Sequence, residues 1–220
     1  MRADKRKIIT LLEEKDFSGL NKLPSLEKAV TILISLSYDK QSPLAWRAIE
    51  AIGLLTAELA GTDPDRVRNI VGRLLWMIRD ESGGIGWSVP EILGEIVRNN
   101  PVLCEDIAPI IASFHEEKML TPGVLWALSR IGQINADTVK YAVPIIRSYL
   151  SATDPMIRAC AVKAIAEMGD AGSSEELEKM KTDTSAVSLY ENGELVKKTI
   201  GELADQAAKK SADDVSRNRS

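Results

Sequence analysis

The residues of this chain that most often act as nucleophiles or metal ligands are one histidine and two cysteines. His115 is followed by Glu116 and Glu117, but the second histidine of a zinc-binding helix is missing. Cys104 precedes His115 by eleven residues, near the opposite end of one predicted helix, so the two side chains are not expected to meet. Cys160 lies among apolar residues. We therefore predict no catalytic residue, no metal and no cofactor, and a surface position for His115.

The segment DESGGIGW, residues 80–87, has three glycines within four residues. It resembles a phosphate-binding loop only superficially, because no predicted strand precedes it and no lysine follows it. One interpretation is a tight turn between two helices, in which glycines adopt positive φ angles. The other is a binding loop that exposes backbone N–H groups, with Asp80, Glu81 and Trp87 at its rim.

Two Trp-x-x-x-Glu pairs also combine an aromatic ring with a carboxylate. Trp46 with Glu50, and Trp87 with Glu91, lie one helical turn apart and share a helix face. On a helical wheel, Trp46 lies opposite the apolar stripe of its own helix. It is therefore expected either to pack on a neighbouring repeat or to form an exposed aromatic and acidic surface suited to binding.

Amphipathic helices must position these residues. Apolar residues spaced by three and four predict one helix over Pro43–Leu59 and a second over Asp65–Arg79. Asp63 and Pro64 between them provide a stop for the first helix and a start for the second. Two such helices joined by about five residues are expected to pack antiparallel.

This helix pair recurs along the chain. Trp46, Glu50 and Gly53 match Trp87, Glu91 and Gly94 at a constant offset of 41 residues. The third and fourth copies end in Ile-Gly and Met-Gly. The four marker glycines are Gly53, Gly94, Gly132 and Gly169, and the second helices are Asp65–Arg79, Ile107–Phe114, Val139–Leu150 and Glu175–Met180. A period near 40 residues with two helices per unit is typical of an α-solenoid.

The fourth copy resembles the HEAT-like repeat of phycobilisome lyases in its sequence DPMIRACAVKAIAEMGD, residues 154–170. In this repeat, Asp154 is expected to cap the helix, Pro155 to occupy its first turn, and Gly169 to end it in a left-handed conformation. The resemblance covers roughly residues 25–182. It implies an all-α, right-handed α-α superhelix whose second helices line the concave side.

The two ends of the chain differ from the repeats. Residues 1–40 predict an N-terminal cap of two helices, over residues 2–15 and 25–37. The four repeats then occupy residues 41–182, and a C-terminal cap occupies 183–210. Within that cap, Asn192-Gly193 predicts a tight hairpin turn, followed by a final helix near Thr199–Lys209. The alternative is one helix over Glu194–Lys209. The whole is expected to be one domain, with a disordered tail over 211–220.

The overall composition excludes several classes of protein. The 220 residues are 45% apolar and 27% charged, as in ordinary soluble domains. The net charge of −4 argues against a protein whose main task is to bind the nucleic-acid backbone. The N-terminus lacks the features of a secretory signal, and no segment approaches the roughly 18 apolar residues of a membrane span. The cytoplasm is the expected compartment.

Other proteins with HEAT-like repeats suggest alternative functions. Some are alkylpurine DNA glycosylases, which use Trp and Asp residues in a basic cleft, and others are bilin-lyase-like accessory proteins. Arginines that could line such a cleft are Arg66, Arg68, Arg73, Arg79 and Arg130. However, no segment matches the glycosylase pattern, and Glu50 or Glu91 would have to replace its acid. HEAT-like deoxyhypusine hydroxylases bind iron through His-Glu pairs, which this chain cannot supply.

The sequence therefore favours a scaffold that binds another protein, of unknown identity, through shape and charge without catalysis. The predicted contact surface is the middle of the repeat array. Its candidate residues are Arg66, Arg73, Trp76, Arg79, Asp80, Glu81, Trp87, Glu91, Trp46 and Glu50.

Overall fold

The structure, a computed structural model, describes residues 2–79 and 86–217. This part of the chain is mostly helical and contains twelve α-helices and one two-stranded sheet, which confirms the predicted all-α class. The helices are α1 Arg2–Glu13, α2 Phe17–Leu20, α3 Leu26–Leu36, α4 Pro43–Ala60, α5 Pro64–Arg79, α6 Val89–Asn99, α7 Ile107–Ser113, α8 Thr121–Gly132, α9 Val143–Ser148, α10 Pro155–Met168, α11 Ser174–Met180 and α12 Ile200–Arg217. The strands are β1 Ala186–Glu191 and β2 Glu194–Thr199. No helix in the described ranges is both long and apolar enough to cross a membrane.

The residues fall into two compact units. Unit 1 comprises Met1–Ile107 together with Tyr190–Leu195, and unit 2 comprises Ala108–Leu189 together with Val196–Ser220. Helices occur in sequence at the positions of the predicted pairs, namely α4 and α5, α6 and α7, α8 and α9, and α10 and α11. A short 3₁₀ helix, Ala136–Ala142, precedes α9 and forms part of the third pair.

Helix α4 is the centre of unit 1, where it packs against α3, α5 and α6. The spacing of its apolar residues predicts one stripe that includes Leu44 and Ala48. In the structure Ala45 and Ile49 are also fully buried, and Leu44 is only half-buried. A helix covered on several sides has no single apolar face. Gly53 lies inside α4, where a Cβ would come within 2.7 Å of the Glu95 carbonyl oxygen in α6. This glycine therefore permits a close helix crossing.

Helix α10 is the centre of unit 2, where it packs against α8, α9 and α12. Its ends match the repeat motif. The Asp154 side chain accepts a hydrogen bond from the Met156 N–H, Pro155 begins the helix, and Gly169 ends it with φ 62°. Arg158, the arginine of the motif, donates to Asp183 Oδ2 at 2.7 Å and so ties the helix to the segment that follows α11.

The hairpin forms as predicted. Asn192 and Gly193 have φ angles of 51° and 85°, the two positive values that a type I′ turn requires. The Thr199 hydroxyl accepts from the Glu202 N–H while the Glu202 carboxylate accepts from the Thr199 N–H, so a reciprocal capping box starts α12. This helix continues to Arg217, beyond the expected end at Lys209. It includes most of the segment 211–220 that we had predicted to be disordered, and 218–220 lie outside the described residues.

Candidate functional site

Helix α5 presents one buried face and one exposed face in unit 1. Val67, Ile70 and Leu74 are buried, whereas Arg73 is exposed and the Trp76 side chain is 67% exposed. The apolar residues recur every three or four positions, so only one side of the helix can face the core. Arg73 and Trp76 are three residues apart and therefore neighbours on the exposed side.

A groove with a volume of about 280 Å³ runs between α3 and α5. Its lining residues are Val30, Thr31, Ile34, Ser35, Tyr38, Ile70, Arg73, Leu74 and Met77. Val30, Ile70 and Leu74 are buried and give the groove an apolar floor. Tyr38 and Arg73 stand at its rim, and burial of part of the Tyr38 ring raises the pKa of its hydroxyl.

Exposed aromatic rings lie around this groove. Tyr38 is 45% exposed and Trp87 is 54% exposed. Trp87 lies near the end of the groove, because a Cβ on the adjacent Gly86 would be 3.1 Å from the carbonyl oxygen of the lining residue Met77. We call the five residues Tyr38, Arg73, Trp76, Arg79 and Trp87 the aromatic-arginine face. It includes three of the ten aromatic residues of the chain.

The arginines of α5 differ in their partners. Arg66 forms exposed ion pairs with Asp63 and Glu27, at 2.8 and 3.4 Å. Arg68 donates two hydrogen bonds to Asp106, at 2.7 and 2.8 Å, and these bonds lower the pKa of that carboxyl group. Within residues 2–79 and 86–217, neither Arg73 nor Arg79 has an acidic partner. These two guanidinium groups are the ones that a bound partner could reach.

The first Trp-x-x-x-Glu pair takes part in internal contacts of unit 1. The Trp46 ring stacks on Tyr190, with 5.7 Å between ring centroids and 12° between planes. Its Nε1–H donates to the Lys40 carbonyl oxygen at 2.9 Å. The Tyr190 hydroxyl donates a hydrogen bond to the Glu50 carboxylate. Burial is the main cause that raises the pKa of Tyr190, and the hydrogen bond to Glu50 and the charge of Glu50 raise it further. Both members of the pair therefore hold the tip of the hairpin.

The second pair is bridged by Lys40. Its ammonium donates to Glu91 Oε1 at 2.8 Å and to the Trp87 carbonyl oxygen at 3.0 Å. Glu91 is 1% exposed, and its Oε2 has no hydrogen-bond partner among the described residues. The structure thus places Glu91 inside unit 1 and leaves the ring of Trp87 outside. The lysine positions Trp87 at the groove end.

The glycine segment is described only from Gly86 onward, where a 3₁₀ turn over Gly86–Ser88 leads into α6. The predicted rim residues Asp80 and Glu81 lie outside the described residues, so both interpretations of the loop stay predictions.

Candidates for covalent or metal chemistry do not form a site in the described ranges. No group of three or more potential metal ligands occurs there. Cys104 is fully buried, and burial raises the pKa of its thiol. His115 is half-buried, which corrects the predicted surface position, because its ring packs edge-on against Tyr149 and its Nδ1 lies 3.0 Å from the tyrosine hydroxyl.

The sequence pattern indicated Arg73, Trp76, Arg79 and Trp87 as candidate residues but did not indicate Tyr38 or Lys40. Both follow α3, which the sequence indicates only as a capping helix. The Trp spacing marked two helix turns, yet nothing in it indicated which residues bridge them. Such bridges join residues far apart in the chain, for example Lys40 and Glu91, 51 positions apart.

No protein-family model matches the sequence. An uncharacterized protein from Archaeoglobus fulgidus is 25% identical over 178 residues, which cover 80% of this chain and 93% of that protein. Two crystal structures of engineered proteins are each 15% identical, with TM-scores of 0.55 and 0.52. They match 96% and 95% of this chain, and 97% and 68% of their own chains. At this identity the likeness concerns the fold alone.

Proposed function

We propose that this chain is a HEAT-like helical-repeat protein that binds another protein through the aromatic-arginine face of unit 1. The four helix pairs and the capped, glycine-terminated α10 support the repeat assignment. The binding surface would act by shape and charge, without breaking or forming covalent bonds.

The observation that carries the proposal is the exposure of three large aromatic side chains in unit 1. Tyr38 lines the groove, Trp87 lies near its end, and Trp76 lies beside Arg73 on the exposed side of α5. Burial of large aromatic side chains at an interface contributes a large favourable free energy of binding. Such side chains are also frequent at the centres of protein interfaces. Arg73, which has no acidic partner among the described residues, lies beside Trp76 and adds a second residue type that is enriched in such centres. Contiguous exposed apolar surface rimmed by polar residues is a recurrent mark of a binding site.

The test is affinity capture from cells of the source organism with the wild-type chain and with Arg73→Ala/Trp76→Ala. Both side chains are exposed, so the double variant should keep its helical circular dichroism and melt within about 2 °C of wild type. We expect it to lose at least one protein that wild type captures specifically. Val102→Ala is the matched control, because it shortens a side chain of unit 1 that is 87% exposed and lies outside the aromatic-arginine face.

Identical captured proteins for wild type and the double variant would contradict the proposal. A double variant that unfolds would show that these side chains are structural. Salt-sensitive binding of duplex DNA that depends on Arg73 would instead favour a nucleic-acid-binding function.

A further inference from the structure

We propose that the groove between α3 and α5 binds an acidic amphipathic helix of the partner protein. This inference rests on the proposed function and names the chemistry of its partner. The apolar face of that helix would place one or two side chains in the groove. Its carboxylates would lie beside Arg73.

The groove offers mainly apolar contacts to a ligand. Its floor is formed by buried Val30, Ile70 and Leu74. The two hydroxyl groups on its α3 wall are already used within that helix: Thr31 donates to the Glu27 carbonyl oxygen at 3.1 Å, and Ser35 donates to the Ile32 carbonyl oxygen at 2.6 Å. The wall therefore offers few free polar groups to a ligand, and an apolar side chain is its natural occupant.

The size of the groove favours side chains over a whole small molecule. Its volume of about 280 Å³ lies just below the ~300–1,000 Å³ typical of small-molecule sites. The groove is bounded by two helices, and an amphipathic helix commonly binds such a surface with apolar residues at i, i+3 or i+4, and i+7. The exposed ring of Tyr38, which lines the groove, would then pack against the bound helix.

The charge of the rim selects among amphipathic helices. Arg73 is the one charged residue among the nine that line the groove, and it has no acidic partner in the described ranges. A basic helix would meet this guanidinium group without compensation, whereas an acidic helix would form charge-assisted hydrogen bonds with it.

The experiment selects peptides from a displayed library of random 16-residue sequences on the full chain. The recovered peptides are then tested on Ser35→Trp, in which a bulky ring on the exposed wall of α3 fills the groove. We expect the recovered peptides to be enriched in Asp and Glu and to carry apolar residues at helical spacing. A recovered peptide is then synthesised, and its affinity is measured by fluorescence anisotropy. Arg73→Glu should weaken its binding at least tenfold, and the charge-matched control Lys118→Glu should not.

A peptide in which every acidic residue is changed to Lys distinguishes a charge contact of Arg73 with the peptide from a structural role of Arg73. Arg73→Glu should bind this Lys peptide more tightly than wild type does, a reversal that general damage to the fold cannot produce. Peptides that are recovered without acidic enrichment, or that bind Ser35→Trp equally well, would overturn the inference and leave the proposed protein-binding function standing. If no peptide is recovered and cellular capture is independent of the face, both proposals fail.

Discussion

Lys40 joins the two Trp-x-x-x-Glu pairs of unit 1 through three contacts. Its ammonium binds Glu91 and the Trp87 carbonyl oxygen, and its own carbonyl oxygen accepts from Trp46. The charge of Glu91 is almost completely removed from water, so this single cation provides its compensation. The exposed ring of Trp87 is held in place as a result, because the backbone that carries it is bound to the same ammonium.

Lys40→Met should therefore destabilise the protein by about 3 kcal/mol, since it leaves a buried carboxylate without its partner. Glu91→Gln in the same chain removes that charge and should restore about half of the loss. The free energy of unfolding in urea measures both effects, and the double-mutant cycle gives their coupling. Equal losses in the single and double variants would show that Lys40 stabilises the protein without balancing the charge of Glu91.

Glycines serve the helices of this protein in two different ways. Gly169 ends α10 with a positive φ angle, whereas Gly53 lies inside α4, where it admits the backbone of α6. The sequence marks both as repeat glycines, although the physical reason for each is different. The first is a matter of backbone conformation and the second of space between helices.

This difference predicts opposite effects of alanine at two helical glycines. Gly53→Ala would place a Cβ 2.7 Å from the Glu95 carbonyl oxygen and should destabilise unit 1 by about 1–3 kcal/mol. Gly72→Ala, inside α5 with nothing within 4 Å of the new Cβ, should stabilise it by up to about 1 kcal/mol. Thermal and urea unfolding of the two variants, side by side, provides the measurement. A stabilising Gly53→Ala would mean that α4 and α6 can separate without cost.

Local signals made most of the elements predictable. The cap at Asp154, the stop at Gly169 and the turn at Asn192-Gly193 each act within a few residues, so the sequence alone located α10 and the hairpin. The contacts of Lys40 and the α3 wall of the groove depend on residues brought together by folding. No local pattern encodes such a pairing, and the candidate site was therefore only half predictable.

At the scale of the whole molecule, a segment near the end of the sequence belongs to the unit that begins it. Tyr190–Leu195 group with unit 1. Arg47, buried in α4, donates to the Gly193 carbonyl oxygen at 2.7 Å across 146 positions of sequence, and to Glu194 at 2.9 Å. Lys15 pairs with the same carboxylate and, together with Arg47, helps to hold the pKa of Glu194 below its usual value. Unit 1 is thus assembled from two distant parts of the chain.

Tyr190→Ala tests whether the stability of unit 1 depends on the hairpin tip. It removes the ring stacked on Trp46 and the hydroxyl bound to Glu50, so amide protons of α4 should exchange faster than in wild type. Hydrogen exchange followed by mass spectrometry measures the change, and Tyr190→Phe, which keeps the stacked ring, should show a smaller one. Unchanged exchange in α4 would mean that the hairpin tip adds nothing to the stability of unit 1.

The position of the hairpin tip in the sequence also determines when unit 1 can finish folding during synthesis. After Ile107 has been made, residues 108–189 must be translated before Tyr190 exists, which takes roughly 4–16 s at about 5–20 residues per second. During that interval, Arg47 and Glu50 on the nascent chain lack the groups that they bind in the folded protein. Unit 1 therefore completes its fold only after Tyr190–Leu195 have been synthesised.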